Sequence, residues 1–387
     1  MLNLRNYQSA KERRDALEKE TGVVLPHTGS FSLDESIAGT RNCENMIGAT
    51  QIPLGVAGPL RFAQDSPGRL AQKEVYIPLS TTEGALVASV NRGCRALSES
   101  GGAMVWVERI GATRGPVFRV VGLEKQHLFT TFLKDQFETL QNIAQKTSQH
   151  LKLLKYETTA VGHYVYVRFY FDTKDAMGLN MITIATDTIA RFIEEKIDVS
   201  CISLSGNFCT DKKPSFLNFI NKRGFAVSAE VTIPGATLRT VLKTTAQDIY
   251  DVWLAKCMIG SAVSGSLGFN AQYANVVAAL FIATGQDPAH TVEGSMGVTT
   301  TEIRNSNLYI SVYLPSVMVG TVGGGTGLAT QTEALKLLGI NGGDNGKNSE
   351  RLAEIVGGAV LAGEISLLAS LSEKTLARAH QRLGRGK

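Results

Sequence analysis

Two adjacent lysines raise the first chemical question in this chain. In SGNFCTDKKPSFLN, residues 205 to 218, Asp211 precedes Lys212 and Lys213, and Pro214 follows. Proline is tolerated at the first position of a helix, where its missing N–H costs nothing. Helix N-termini offer anions free N–H groups and the positive end of a dipole. The stretch therefore predicts a helix opening at Pro214 with two ammonium groups beside it. Two readings stay open on spacing alone: a carboxylate or oxyanion site, and a charged loop beside a helix cap.

Other candidate groups are scattered along the chain. Glu83, in TTEGALVASVNRGCR (81–95), stands at an expected helix start, where negative charge is favoured. Asn91 and Arg95 are four residues apart, so they share a helix face that could grip phosphate or simply be solvated. Asp287, in ATGQDPAH, follows an apolar helix, where a carboxylate opposes the dipole. That placement is a hint of use, set against an ordinary loop aspartate. GTVGGGTG (320–327) has no GK[ST], and Leu328 stands where G-x-G-x-x-G spacing needs glycine. It reads as a flexible turn or as bare backbone that a ligand approaches closely. His380 opens the basic stretch HQRLGRGK, and histidine is the natural acid near neutral pH.

The elements that must position these groups are partly legible. Residues 9–21 read as a polar helix ending near Gly22, and 84–98 as a helix despite Gly93. IPLGVAGPL, with Pro53, Gly55, Gly58 and Pro59, predicts an irregular turn-rich stretch. Residues 122–160 read as polar and helix-like. YVYVRFYF (164–171), VSCISL (199–204) and AVSAEVTI (226–233) have strand composition. Residues 175–196 read as a turn into a helix. Further helices are expected over 274–284 and 351–382, the last broken near Gly357, Gly358 and Gly363.

The chain has 387 residues, enough for roughly two to three domains. Its 43% apolar and 19% charged residues are ordinary for a folded protein, and the net charge of +4 has no long basic block. Nucleic acid is therefore not the expected partner, and small anions suit better. Five cysteines without a CxxC pair argue against zinc or a disulfide framework and for a reducing compartment. No signal-peptide pattern opens the chain, and its most apolar run, 276–284, falls short of the roughly twenty residues that span a bilayer. A cytoplasmic protein is expected, with no membrane partner.

Ten segments together carry a resemblance. ENMIG (44–48), PLGVAGPL (53–60), TTEGALVASVNRGCR (81–95), TRGPV (113–117), DAMGLNM (175–181), SGNFCTDKKP (205–214), GSAVSGSLG (260–268), NAQYANVVAALFIATGQD (270–287), GTVGGGTGL (320–328) and LAGEISLLASL (361–371) resemble the HMG-CoA reductases, in the family's order. The TDKKP form is similar to the class I branch. The resemblance implies reduction of HMG-CoA to mevalonate by two hydrides, with release of CoA. It implies NADPH as donor; NADH stays open because Gln149 stands where animal enzymes have an arginine. Gln272 stands where they have a histidine.

The resemblance also implies site residues. Lys212 would be the catalytic cation, Glu83 and Asp287 the paired carboxylates, and His380 the acid for the departing thiolate. Arg114, Ser205, Asp211, Lys213, Lys256 and Asn275 match HMG contacts. Ser89, Asn91, Arg95 and Lys243 match CoA contacts. Ser148, Asp175, Ala176, Met177, Gly178, Asn180, Gly323 and Gly324 match the cofactor site, and no metal is implied. The implied fold is α+β: an N-terminal helical segment (1–40), a large HMG-CoA-binding domain (41–115 and 205–387) and an inserted small ferredoxin-like NADP-binding domain (116–204). Active sites would form between subunits of a homo-oligomer. The competing readings are a non-catalytic CoA-ester binder and a dehydrogenase that transfers one hydride.

Overall fold

The computed structural model describes residues 4–65 and 74–373. Strands β1 (Leu54–Arg61) and β2 (Glu74–Ser80) pair as a separate antiparallel ribbon. The main sheet uses β3 (Met104–Arg114), β4 (Val117–Arg119), β5 (Lys152–Val161), β6 (Tyr164–Asp172), β7 (Ser200–Ser203), β8 (Arg223–Ile233), β9 (Val298–Arg304) and β10 (Asn307–Val317). Its order is β7-β4-β6-β3-β8-β10-β9, with β5 also paired to β6.

Strand β3 belongs to two sheet regions. Met104–Arg109 pairs with β8, whereas Ala112–Arg114 pairs with β6. The register shifts between Arg109 and Gly111, where Gly111 has φ of 104°. Only glycine takes that conformation without strain. Beyond this bend β4, β5, β6 and β7 lie in the order β7-β4-β6-β5, all pairs antiparallel. Helices Leu123–Asp135 and Phe137–Thr147 join β4 to β5, and helix Leu179–Lys196 joins β6 to β7. That is the split β-α-β-β-α-β arrangement. Its core, including Phe118, Phe129, Phe169, Phe171 and Ile189, is a separate cluster from the larger one around Val227, Ile310 and Leu361.

The long helix Lys347–Ser372 runs through the larger core. The expected break at its glycines does not occur. Gly357 and Gly358 instead let it press close: an added Cβ would lie 2.5 Å from Val227 and 2.8 Å from Leu60. Gly93 does the same for helix Leu86–Glu99, where a Cβ would lie 1.9 Å from the Ala362 carbonyl. The Lys347–Ser372 helix is the one helix among the described residues long and apolar enough to cross a membrane, and most of its apolar stretch is buried in this core.

Three other expectations need correction. IPLGVAGPL is largely strand β1, and its Gly58-Pro59 step coincides with a bulge between Ala57 and Leu60. Bulges accommodate proline in a sheet. Residues 152–160 are strand, not helix, because Leu153 packs in the smaller core while the opposite face stays open. Pro214 does not open a helix: the next one is a single turn, Leu217–Ile220, prepared by the Ser215 hydroxyl accepting from Leu217 N–H. The polar helix Ala10–Thr21 is as expected, with a Ser9–Glu12 capping box and Gly22 at φ 73° beyond its end.

Candidate active site

The loop carrying the two lysines is held by backbone and buried arginines. Gly206 N–H donates to the Gly115 carbonyl at 2.7 Å, and Thr113 Oγ1 donates to the Cys209 carbonyl at 2.8 Å. Below it, fully buried Arg168 donates to Thr210, Asn218 and the Lys222 carbonyl. Asn207, Thr210, Lys212 and Lys222 all have positive φ, 62°, 56°, 56° and 58°. Such backbone is retained only where the surroundings impose it, and it concentrates at functional sites.

This conformation points Lys212 at Asp287: Nζ lies 2.6 Å from Oδ2. Asp287 does not sit against a helix dipole as expected. The preceding helix Tyr273–Thr284 ends at Gly285, φ 71°, and Asp287 caps the short 3-10 helix Pro288–His290. Its Oδ1 accepts from Ala289 N–H at 3.0 Å. Partial burial pushes the carboxyl up, but the Lys212 hydrogen bond, Ala289 N–H and the nearby cationic groups outweigh it. Asp287 is held below its ordinary value.

Behind this pair lies a buried network that sequence reasoning missed. Arg223, His290 and Glu293 are each fully buried. Arg223 donates to Glu293, to Asp211 Oδ1 at 2.9 Å and to Thr113 Oγ1 at 2.8 Å. Asp211, His290 and Glu293 bring possible ligand atoms within 4.8 Å of one another. The Arg223 guanidinium is bonded to both carboxylates and already supplies their positive charge.

A cleft of about 670 Å³ opens beside Asp287. Ala176, Met177, Gly178, Asn180, Gly323, Gly324 and Gln286 line it. Three segments meet there almost backbone to backbone. A Cβ on Gly320 would lie 2.4 Å from Met177 N, and one on Gly285 would lie 2.3 Å from the Gly325 carbonyl. Buried Gln286 fastens the joint: Oε1 accepts from Gly320 N–H and Nε2 donates to the Gly320 carbonyl. Gly323 and Gly324, at φ 79° and 55°, have open space where a side chain would be, so bare backbone faces the cleft.

Asp175 does something sequence alone does not indicate. Its carboxylate is buried and accepts from Asp344, Gly346 and Ser349 N–H at 2.7, 2.7 and 2.9 Å. Its carbonyl accepts from Thr321 N–H at 2.7 Å. Asp175 thus ties the DAMGLN turn to the glycine loop and to the start of the long helix.

A second cavity, about 520 Å³, is lined by Pro214, Lys256, Gln272 and Asn275. Asn275 Nδ2 donates to Glu83 Oε2 at 2.8 Å. Buried Glu364 anchors this end of the Tyr273–Thr284 helix, accepting from Ala271 N–H, Gln272 N–H and Thr299 Oγ1. Burial pushes the Glu364 carboxyl up, against these hydrogen bonds and the Lys256 charge. Gln272, where a histidine was expected, donates to the Gly363 carbonyl.

The remaining candidates are more dispersed. No hydrogen bond or ion pair among the described residues joins Glu83 to Lys212 or Asp287. Ser205, Lys213 and Lys256 are exposed, and Ser205 Oγ lies 3.6 Å from Cys209 Sγ. Arg114 donates to Thr183 on the Leu179–Lys196 helix. On helix Leu86–Glu99, Ser89 bonds Ser366, Asn91 accepts from Gly58 N–H, and Arg95 pairs with Glu99. Lys243 is exposed at φ 59°, past Leu238–Leu242. Ser148 caps helix Phe137–Thr147 and does not line the larger cleft. His380 lies outside the described residues.

The hydroxymethylglutaryl-coenzyme A reductase family model matches residues 9–385. The chain belongs to this family. A reductase of that name from Methanothermobacter thermautotrophicus is 48% identical over 380 residues, covering 98% of this chain and 94% of the relative. One from Aeropyrum pernix is 50% identical over 383 residues, covering 98% and 90%. Among solved structures, the reductase of Streptococcus pneumoniae matches with TM-score 0.70 at 19% identity, covering 93% of this chain and 92% of that one. A class II reductase from the same organism, bound to NADPH in open conformations, matches with TM-score 0.69 at 18% identity, covering 95% and 98%. These solved structures share the α+β fold of this chain.

Proposed function

We propose that this chain reduces HMG-CoA to mevalonate, with Lys212 as the cation that stabilises the reacting oxygen. The observation that carries the assignment is the Lys212–Asp287 pair, 2.6 Å apart, at the rim of the glycine-lined cleft. The reaction consumes HMG-CoA, two NADPH and two protons, and yields mevalonate, CoA and two NADP. NADPH supplies both hydrides when bound. The cleft volume lies within the range of ligand sites, roughly 300–1,000 Å³. Exposed Gly323 and Gly324 backbone and the Ala176–Asn180 turn would hold it there.

Lys212 then stabilises negative charge on the thioester oxygen, and afterwards on the aldehyde oxygen. Asp287 keeps the ammonium aimed before substrate arrives. His380 protonates the CoA thiolate as the hemithioacetal collapses, a role that rests on the family resemblance. Glu83, oriented by Asn275, serves the second reduction. Lys213, Ser205, Lys256, Asn275 and Arg114 hold the HMG portion. Asp211, paired to Arg223, contributes from behind. Ser89, Asn91, Arg95 and Lys243 take the CoA portion. Ser148 and Asp175 belong to the cofactor side, Asp175 as the residue that shapes the turn.

We assign residues 116–204 as the cofactor domain, 41–115 and 205–387 as the substrate domain, and 1–40 as an N-terminal segment. Separate hydrophobic clusters support the division. A second copy completing the site is supported by exposed Ile202, Phe216, Ile220, Ile259 and Val263 near the lysine loop and the second cavity. The absence of a CxxC pair among the five cysteines supports a reducing, cytoplasmic location.

The test follows nicotinamide absorbance with HMG-CoA present. Two NADPH oxidised per mevalonate support the reading, whereas tight binding without oxidation supports a CoA-ester binder. One NADPH per turnover would indicate a different dehydrogenase. Running NADH in parallel decides the donor.

A further inference from the structure

His290 sits one turn past the proposed catalytic aspartate and is fully buried. Its Nδ1 lies 2.7 Å from Glu293 Oε1, the carboxylate that also takes Arg223. A carboxylate only accepts, so Nδ1 carries a proton. Its Nε2 has no hydrogen-bond partner. Buried polar atoms are rarely left in that state, and each exception calls for an explanation.

Nε2 faces two carboxylates: Asp211 Oδ1 at 3.8 Å and Asp287 Oδ2 at 4.0 Å. Asp287 Oδ2 is the oxygen that holds Lys212 Nζ. Lys212 is partly exposed and His290 is in the core, so one carboxylate oxygen is addressed from the solvent side and from the interior. The charge count is also informative. Asp211, Asp287 and Glu293 bring three negative charges against two positive ones from Arg223 and Lys212. A proton on each nitrogen of His290 balances the cluster.

We propose that His290 is a positioning residue for Lys212: its Nε2–H takes Asp287 Oδ2 when Lys212 turns to the oxyanion on the substrate. Without that replacement, a freed Asp287 carboxylate competes with the oxyanion for the same ammonium. His290 makes and breaks no bond to carbon. The inference rests on the assignment of Lys212 as the oxyanion partner.

Two substitutions separate the ring's nitrogens. His290→Gln places an amide near the Nε2 position, and His290→Asn places one near Nδ1. The expected result is that His290→Asn lowers kcat about 10- to 100-fold, as losing a supporting partner behind an active group does. KM for HMG-CoA stays within about twofold, because ground-state binding is not affected. His290→Gln retains most of the wild-type kcat. Calorimetric HMG-CoA binding and thermal unfolding report whether each variant is folded. Equal loss in both variants, loss in Gln but not Asn, loss confined to KM, or unfolding of both would overturn the proposal and leave a purely structural histidine. Lys212→Ala is run beside them. Normal turnover in that variant would remove the underlying assignment, whereas inactive Lys212→Ala with fully active His290→Asn removes only this inference.

Discussion

Lys212 Nζ approaches Asp287 Oδ2 at 2.6 Å although both side chains are about one-third exposed, 36% and 35%. An exposed ion pair contributes little stability, roughly 0–1 kcal/mol. Its geometry is therefore better explained by chemistry than by folding. Lys212→Ala should lower kcat by about 100- to 1,000-fold, the usual cost of removing an oxyanion donor. Lys213→Ala should instead raise KM for HMG-CoA. Steady-state kinetics on the two variants checks the division.

Asp287 gives a pH prediction. Its folded-state pKa lies below the ordinary 3.8, so the stability it contributes is present above that value. It is lost as pH falls through the depressed folded value. The gap in unfolding temperature between wild type and Asp287→Asn should be constant near neutrality and close below about pH 3.8.

Glu364 behaves oppositely. Its folded pKa is raised above 4.5 by burial, so the protonated form is the one favoured by folding. Its contribution is complete below 4.5 and declines as pH rises through the folded value. Glu364→Gln should flatten that decline, measured by denaturant unfolding between about pH 4 and about pH 8.

Asp175→Ala leaves three backbone donors, Asp344, Gly346 and Ser349 N–H, without their acceptor. At about 1–3 kcal/mol for each buried unsatisfied group, the loss should reach about 3 kcal/mol or more. The DAMGLN turn would loosen with it, and KM for NADPH should rise. Urea unfolding and cofactor kinetics read the two effects separately.

Gly320→Ala and Gly323→Ala should differ. The first forces a Cβ to 2.4 Å from Met177 N, a backbone atom that cannot swing aside. The second meets nothing and suffers only from a positive-φ, extended backbone that is essentially confined to glycine, roughly 1–3 kcal/mol. Thermal unfolding should fall further for Gly320→Ala, while Gly323→Ala should act mainly on NADPH affinity.

The sequence made several elements legible because their periods are local. Tyr164–Asp172 has the aromatic and β-branched content of a strand, and Ser9 to Glu12 spells a capping box. Residues 152–160 look helical in sequence because their strand character depends on Leu153 meeting a core built elsewhere. The unbroken Lys347–Ser372 helix was hidden for a similar reason. Its glycines serve neighbours such as Val227, which no local pattern reveals. At the site, Lys212 and Asp287 stood out by type and surroundings, but their contact spans 75 positions of chain and needed the fold. Arg223, His290 and Glu293 gave no sequence signal beyond being charged groups that folding buries together. A histidine and a glutamate three apart, just beyond a candidate aspartate, were the available clue.

Strand β3 pairs with β8 before Gly111 and with β6 after it. One continuous ribbon therefore serves as the axle for both halves of the sheet. The change of partner falls at Gly111, where the chain crosses so close to β6 that a Cβ would lie 2.7 Å from the Phe171 carbonyl. A side chain at that one position would press on the joint through which both halves of the sheet share a strand.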